Sequence, residues 1–378
     1  MKKAIVSVIN DLSTDQRVHK VCSTLHGMGF DVVLVGRKQR KSLPLNKREY
    51  STRRMFLLFE KGPLFYAEFQ IRLFFFLMFR NGAVLVSNDL DTLLPNFIVS
   101  RITGAKLIYD SHELFCEVPE LQDSLRKKNI WKGIERWIFP KLKYIFTVND
   151  SIAKIYSEEY KVKIHVLRNI PLLSAAEKIS AASKEELSIP LNKKIIVMQG
   201  AGINIDRGAE EAVEAMRYVG GNAVLLIIGS GDVMEVLKEM VIKLKLEEKV
   251  RFIGKVPFEK LVQYTRHADL GLTLDKDTNI NYRYSLPNKL FDYIHAGVPV
   301  LASDLIEVKN IVLGYKTGDI IYSHDPKEIA GKINLMVNNE ELLREWKKNC
   351  KIAAGKLNWE EEEKVLKEVY GKFLEPHP

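Results

Sequence analysis

The sequence predicts two tandem α/β domains, each a parallel sheet wound with helices. Three observations predict it. Short apolar, β-branched runs alternate with helical patterns through both halves of the chain. A chain of 378 residues is long for a single core. Between 171 and 192 the alternation is interrupted by a small, polar stretch that reads as a linker with one weak helix.

The first alternation opens with AIVSVI, helix QRVHKVCSTLHGMG and strand DVVLVG. The leading MKK with its apolar run starts like a signal peptide. The run is too short, and Asn10-Asp11 follow at once, so it reads as a first strand. Strand AVLVSND, helix TLLPNFIVSRITG, strand KLIYD, strand YIFTVN, helix DSIAKIYSEEY and strand KIHVLRNIP follow, giving a domain over residues 1–170. The second alternation runs KKIIVMQG, AEEAVEAMRYV, AVLLIIG, VMEVLKEMVIKLKL, VRFIG, FEKLVQYTRHA, DLGLTL, the helix in YSLPNKLFDYIHAGVPV, and VPVLAS. It defines a domain over 193–355. Residues 356–378 carry one amphipathic helix, NWEEEEKVLKEVYGKFL.

Composition narrows the classes. The three cysteines are scattered without a CxxC pair, which excludes a disulfide scaffold or a Cys-based zinc site and fits a reducing cytoplasm. The net charge of +9 is uneven: residues 1–170 hold 28 Lys and Arg against 17 Asp and Glu. The basic residues are densest over 36–54, including Arg37, Lys38, Arg40 and Lys41. Beside them lies the aromatic run LFYAEFQIRLFFFLMFR, too short and too interrupted to span a bilayer. An anionic membrane face is one reading of that pairing; a solvated loop beside an internal helix is the other, and the sequence weights them evenly.

In open α/β sheets, ligands bind beyond the carboxyl ends of the strands, so the residues that follow each strand are the candidates. In the second half they are Gly200, Gly202, Arg207, Gly229, Lys255, Ser285, Lys289 and Asp292. The glycines miss the dinucleotide fingerprint, and there is no P-loop. What remains suits a nucleoside diphosphate: glycines admit phosphate to the backbone, and Arg207 and Lys289 would flank it at two helix starts. Asp292, at i+3 from Lys289, would take the ribose hydroxyls. An ordinary surface ion pair between the two is the simpler account of that spacing, although a lysine in a first helical turn opposes the helix dipole. In the first half the candidates are Asn10, Asp11, Arg17, Asn88, Asp89, Asp91, His112 and Asn149. A lone histidine such as His112 is more often a structural hydrogen bonder than a catalyst. No His/Asp/Glu cluster has metal-ligand spacing.

SLPNKLFDYIHAGVPVLAS, with QGAGINIDRGAEEAVEAM, LLIIGSGD, VRFIGKVPFEKLVQYTRHADLGL and FTVNDSIAKIY in this order, resembles the group 1 glycosyltransferases. The resemblance implies the GT-B fold, two Rossmann-like domains facing across a cleft, and a C-terminal helix packing back on the first domain. It implies transfer of a sugar from a UDP- or GDP-sugar to a hydroxyl acceptor, retaining and without a required metal or cofactor. Arg207 and Lys289 would hold the diphosphate, Asp292 the ribose, and Gly254-Lys255-Val256 the base. Ser285, Asn288, Gly202 and Gly229 would line the donor site. His112 would sit beside the transferred sugar, and Asn10, Asp11, Arg17 and Asp89 would face the acceptor, a glycan or lipid-linked sugar. Two positions depart from the family pattern. Tyr284 stands where the signature has a second acidic residue, and Gly202 stands where it has a basic one. A nucleotide-sugar 2-epimerase of the same fold is the alternative within that ligand class, disfavoured by the few acid/base groups. A nucleic-acid-binding protein would use the basic half but lacks an RNA-binding signature. No nucleic-acid partner is therefore expected, and the expected location is the cytoplasm, at a membrane's inner face if the basic half docks there.

Overall fold

The computed structural model describes residues 1–374 except Thr14, Lys41, Leu43, Asp123 and residues 174–178. Lys41 of the basic stretch, part of the expected linker and residues 375–378 therefore lie outside the described residues. The chain divides into two compact units: Met1–Asn169 with Glu362–Pro378, and Ile170–Glu361.

In the first unit the described strands are β1 (Lys3–Asp11), β2 (Asp31–Lys38), β3 (Ser51–Phe56), β4 (Val84–Asn88), β5 (Lys106–Ser111), β6 (Tyr144–Thr147) and β7 (His165–Val166). They form one parallel sheet in the order β3-β2-β1-β4-β5-β6-β7. The order reverses between β1 and β4, where such sheets open a crevice at the strand ends. β3 was not expected. Its sequence, STRRMF, has no apolar run because it is the outermost strand and its residues are exposed or half-buried. The helix Leu125–Ile138 is a further element beyond those the sequence predicts.

The second unit repeats the pattern with β8 (Lys194–Gly200), β9 (Ala223–Gly229), β10 (Val250–Gly254), β11 (Leu270–Thr273), β12 (Val300–Ser303) and β13 (Gly318–Ile321), ordered β10-β9-β8-β11-β12-β13. Burial on both faces explains the unbroken apolar runs. Ile196, Met198, Leu225 and Ile227 pack into one core, while their neighbours Ile195, Val197, Val224 and Leu226 pack into another. The expected linker is not loose where it is described. Leu187 and Ile189 are buried in the second of these cores, and Tyr264 Oη donates to Leu187 O at 3.2 Å.

The helix Asn288–His295 answers to local chemistry. Pro287 is its N-cap, and Gly297, with φ of +72°, ends it. Gly297 N donates to Ile294 O at 3.0 Å and Val298 N to Tyr293 O at 2.9 Å, a Schellman closure that turns the chain straight into β12. Residues 359–371 form the final helix, whose Tyr370 is buried in the first unit against Phe30 and Phe146.

Candidate active site

In the second unit, Leu290, Phe291, Tyr293 and Ile294 bury one face of the Asn288–His295 helix, which leaves Lys289 and Asp292 on the other. Tyr293 fastens the helix under the strand ends. Its hydroxyl donates to Leu272 O at 3.2 Å and accepts from Gln199 N at 3.1 Å. Lys289 and Asp292 do not pair, so the simple ion-pair account of their spacing is displaced. Lys289 Nζ lies 3.3 Å from Asp275 Oδ2 and 3.4 Å from Oδ1. Arg207 Nη1 reaches the same Oδ1 at 3.1 Å, and its guanidinium stacks over Tyr282, 4.2 Å from the ring centroid.

Arg207 precedes rather than opens its helix. Gly208 caps that helix with φ of +73° and packs so closely on Leu274 that a side chain there would overlap the Leu274 carbonyl. This contact brings Arg207 to Asp275, directly beyond β11. Asp275 is 1% exposed. Burial pushes its carboxyl up, but Lys289 and Arg207 outweigh that and hold it below the ordinary value. Two cations on one carboxylate leave a net positive charge at the carboxyl edge of the sheet.

Asp292 turns the other way. Gln199 Nε2 donates to Asp292 Oδ2 at 3.3 Å, and Gln199 Oε1 accepts from Thr265 Oγ1 at 2.6 Å. Asp292, Gln199, Thr265 and His295 form the polar part of a small open pocket, whose apolar part includes Phe258, Leu261 and Val262. Gly229, with φ of +137°, lies against Gly200, where any side chain would overlap the Gly200 backbone. Gly202 and Lys255 are exposed, Val256 packs on the core, and Ser285 Oγ donates to Tyr282 O at 2.9 Å. Asn288 is exposed in the first turn of its helix.

In the first unit His112 is clasped by two carboxylates. Its Nδ1 is 3.1 Å from Asp89 Oδ2, and its Nε2 is 3.6 Å from Asp110 Oδ2. The His112 backbone N–H also donates to Asp89 Oδ1 at 2.8 Å. Asp89 is itself strained, with φ of +57°. Such backbone persists where its surroundings fix it, and it concentrates at working sites. Asp91 is buried nearby, and burial followed by the Asp89 charge raises its carboxyl well above the ordinary value.

Burial alone would lower the His112 pKa; Asp89 and Asp110 outweigh it and raise it well above 6.5. With the folded value raised, the stabilising charge is complete below pH 6.5 and is lost as pH rises through the folded value. His112 is therefore expected to be doubly protonated at neutral pH, a hydrogen-bond donor rather than a base. Nitrogen-detected NMR of the imidazole at pH 7.5 checks this, and a neutral ring there would refute it.

Arg17 is a correction. Expected at the acceptor, it is 3% exposed and consumed by the fold. Its Nε and Nη2 donate to Asp110 at 3.2 and 2.6 Å, and its Nη1 donates to Leu167 O at 2.7 Å. A buried carboxylate needs a cation, and Arg17 is the nearer of the two beside Asp110, His112 being the other. It thus stands behind Asp110 and, through it, behind His112. Asn10 is exposed at the end of β1 and donates to Asp15 at 3.3 Å, whereas Asp11 accepts from Arg54 at 3.1 Å. Asn88 is buried and donates to Ser7 O, and Asn149 caps the helix Asp150–Tyr160; both serve the fold. The sequence reading missed Asp275, Gln199 and Asp110. Asp275 follows a strand directly, the very position that singled out the other candidates.

Residues 180–352 match the family model described as Glycosyl transferases group 1. A glycosyltransferase of Methanocaldococcus jannaschii, itself described as uncharacterized, is 21% identical over 291 residues, covering 74% of this chain and 71% of that one. Among solved structures, sucrose-phosphate synthase from Thermosynechococcus elongatus is similar with a TM-score of 0.81 at 16% identity, over 99% of each chain. Anabaena HepE in complex with UDP is similar with a TM-score of 0.72 at 12% identity, over 98% of this chain and 100% of that one. Those likenesses speak for the fold, and the family match speaks for the chemistry of the second unit. The chain is a glycosyltransferase of the GT-B fold, with the group 1 family pattern across its second unit.

Proposed function

We propose that the second unit binds a nucleoside diphosphate sugar, UDP- or GDP-linked, and that the enzyme transfers the sugar with retention to a hydroxyl of a glycan or lipid-linked acceptor. The observation that carries this reading is the pair of cations on the single buried Asp275. Their excess positive charge suits a diphosphate, and it would stabilise the charge that develops as the diphosphate departs. No divalent ion is required by such a scheme, because Arg207 and Lys289 do that work. Asp292, at the polar wall of that pocket, is suited to a ribose diol with the base alongside Phe258 and Leu261. HepE, of like fold, was solved with UDP.

His112 has no role as a base in this reading. Both its ring nitrogens face carboxylates, so it would serve as a fixed positive charge, and the departing phosphate would take the acceptor's proton on the same face of the sugar. Asp89 positions His112, and Asn10 and Asp11 at the end of β1 are the acceptor-side candidates. The basic balance of residues 1–170 supports an anionic acceptor, as in cell-surface polysaccharide or glycolipid assembly on the cytoplasmic side of a membrane.

Thermal shift against UDP, GDP, ADP and CMP tests the donor site. One nucleoside diphosphate should stabilise the wild type, by about 2.7 kcal/mol at a hundredfold excess over Kd. Asp292→Ala and Lys289→Ala should each lose most of that shift. Equal shifts in all three proteins would remove the assignment.

A further inference from the structure

The helix Gly62–Met78 is mostly apolar, interrupted by Glu68, Gln70 and Arg72, yet its buried residues lie on one face. Phe65, Phe69, Leu73 and Leu77 pack on Ile5, Val35 and Leu85 of the first sheet. Leu64, Ile71, Phe75 and Phe79 recur on the outward face, each more than half exposed. That outward apolar stripe, broken by the Glu68–Arg72 ion pair at 2.8 Å, has an unmet partner.

The neighbouring turn extends the same surface. Leu58 is also more than half exposed, and Glu68 on the helix holds the turn by accepting from Leu58 N at 2.9 Å and Phe59 N at 3.0 Å. Phe75 and Phe79 stack with their planes 8° apart, so the aromatic tip is organised before anything binds. Cations border it: Arg72 is exposed between Ile71 and Phe75, and Arg80 adjoins Phe79 with its guanidinium over Phe76 at 4.9 Å. Residues 36–80 hold eleven Lys and Arg against three Asp and Glu, nearly the whole excess charge of the chain.

We infer that this face docks on an anionic lipid bilayer, with the Phe75–Phe79 stack and Leu58 entering the acyl boundary and the arginines meeting the headgroups. The charge selects this occupant. A second copy of the chain would bring two strongly basic surfaces together, whereas an anionic leaflet complements them. No described helix is long and apolar enough to cross a membrane, so the helix would lie on the bilayer. The inference deepens the reading of a lipid-linked acceptor and stands on the first unit alone. Vesicle binding is read without nucleotide, so its failure would leave the donor site standing, and the converse also holds.

The full-length chain should sediment with phosphatidylcholine vesicles containing phosphatidylglycerol, and at least tenfold less with phosphatidylcholine alone. Added salt should weaken the first. The double substitution Phe75→Ser and Phe79→Ser should lower binding at least tenfold with an unchanged melting temperature. Should that variant fail to fold, Arg72→Glu with Arg80→Glu should lower binding to the anionic vesicles by a similar factor. A wild type that stays in the supernatant with anionic vesicles would overturn the proposal, as would folded variants that bind as well as it does. So would a concentration-dependent dimer that Phe79→Ser abolishes, which would assign the face to a second copy.

Discussion

Lys289→Met is expected to lower turnover about 10²–10³-fold, the usual loss when one preorganised charge at a leaving group is removed. Arg207→Met should do likewise. Each cation reaches Asp275 independently, at 3.3 Å for Lys289 and 3.1 Å for Arg207, so either variant keeps one partner for the buried carboxylate and should keep its fold. Methionine retains much of the side-chain bulk beside Tyr282 and the strand ends while deleting the charge. The loss should fall on kcat for nucleotide-sugar consumption, with a smaller rise in KM for the donor, because the charge to be stabilised grows as the bond breaks. A variant within threefold of the wild-type kcat would show that the pair merely neutralises Asp275. Melting temperatures measured alongside separate a folding defect from a catalytic one.

Arg17→Met should be the most destabilising single change, by about 3–5 kcal/mol, because it strands a carboxylate in the first unit without its cation. Asp110 shares the burial of Arg17, and Arg17 is its nearest ion-pair partner at 2.6 Å. Burial alone would raise the Asp110 pKa; Arg17, then His112, hold it well below the ordinary carboxylate value. The sign follows: the stabilisation is fully present above about pH 4 and is lost as pH falls through the depressed folded value. Wild type should therefore weaken in acid through this group. Arg17→Met with Asp110→Asn should recover most of the loss, since the charge that needed a partner is gone. Urea unfolding of the full chain, followed separately for each transition, measures both. A double variant as unstable as the single one would refute the account.

Strands buried on both faces were legible in the sequence because they write themselves as continuous apolar runs, as AVLLIIG and KKIIVMQG do. β3 was not, since an edge strand exposed on its outer side carries polar residues at most positions and looks like a loop. The helix at 288–295 was legible down to its ends, because a proline and a glycine mark both. Its neighbours in space were not. The spacing of Lys289 and Asp292 pointed to each other, whereas tertiary packing sends one to Asp275 and the other to Gln199. Arg17 misled for the same reason: strand-end position was read as exposure, and only the fold shows that β5 delivers Asp110 to it. Gln199 carried no signal, being the one polar residue in a run of strand formers.

The second unit interrupts the first, since residues 362–374 belong with Met1–Asn169 rather than with the segment that precedes them. Glu362 holds Arg168 at 2.6 Å, Glu363 accepts from Thr24 at 2.8 Å, and Phe373 meets Tyr144 with ring centroids 4.9 Å apart. During synthesis, the amino-terminal sheet therefore emerges with the seat of Tyr370 and Phe373 vacant and waits through 192 further residues for its last piece. The polypeptide is a parenthesis: the segment from Glu362 completes the sheet that Met1–Asn169 begins, and the whole of the second unit is synthesised in between.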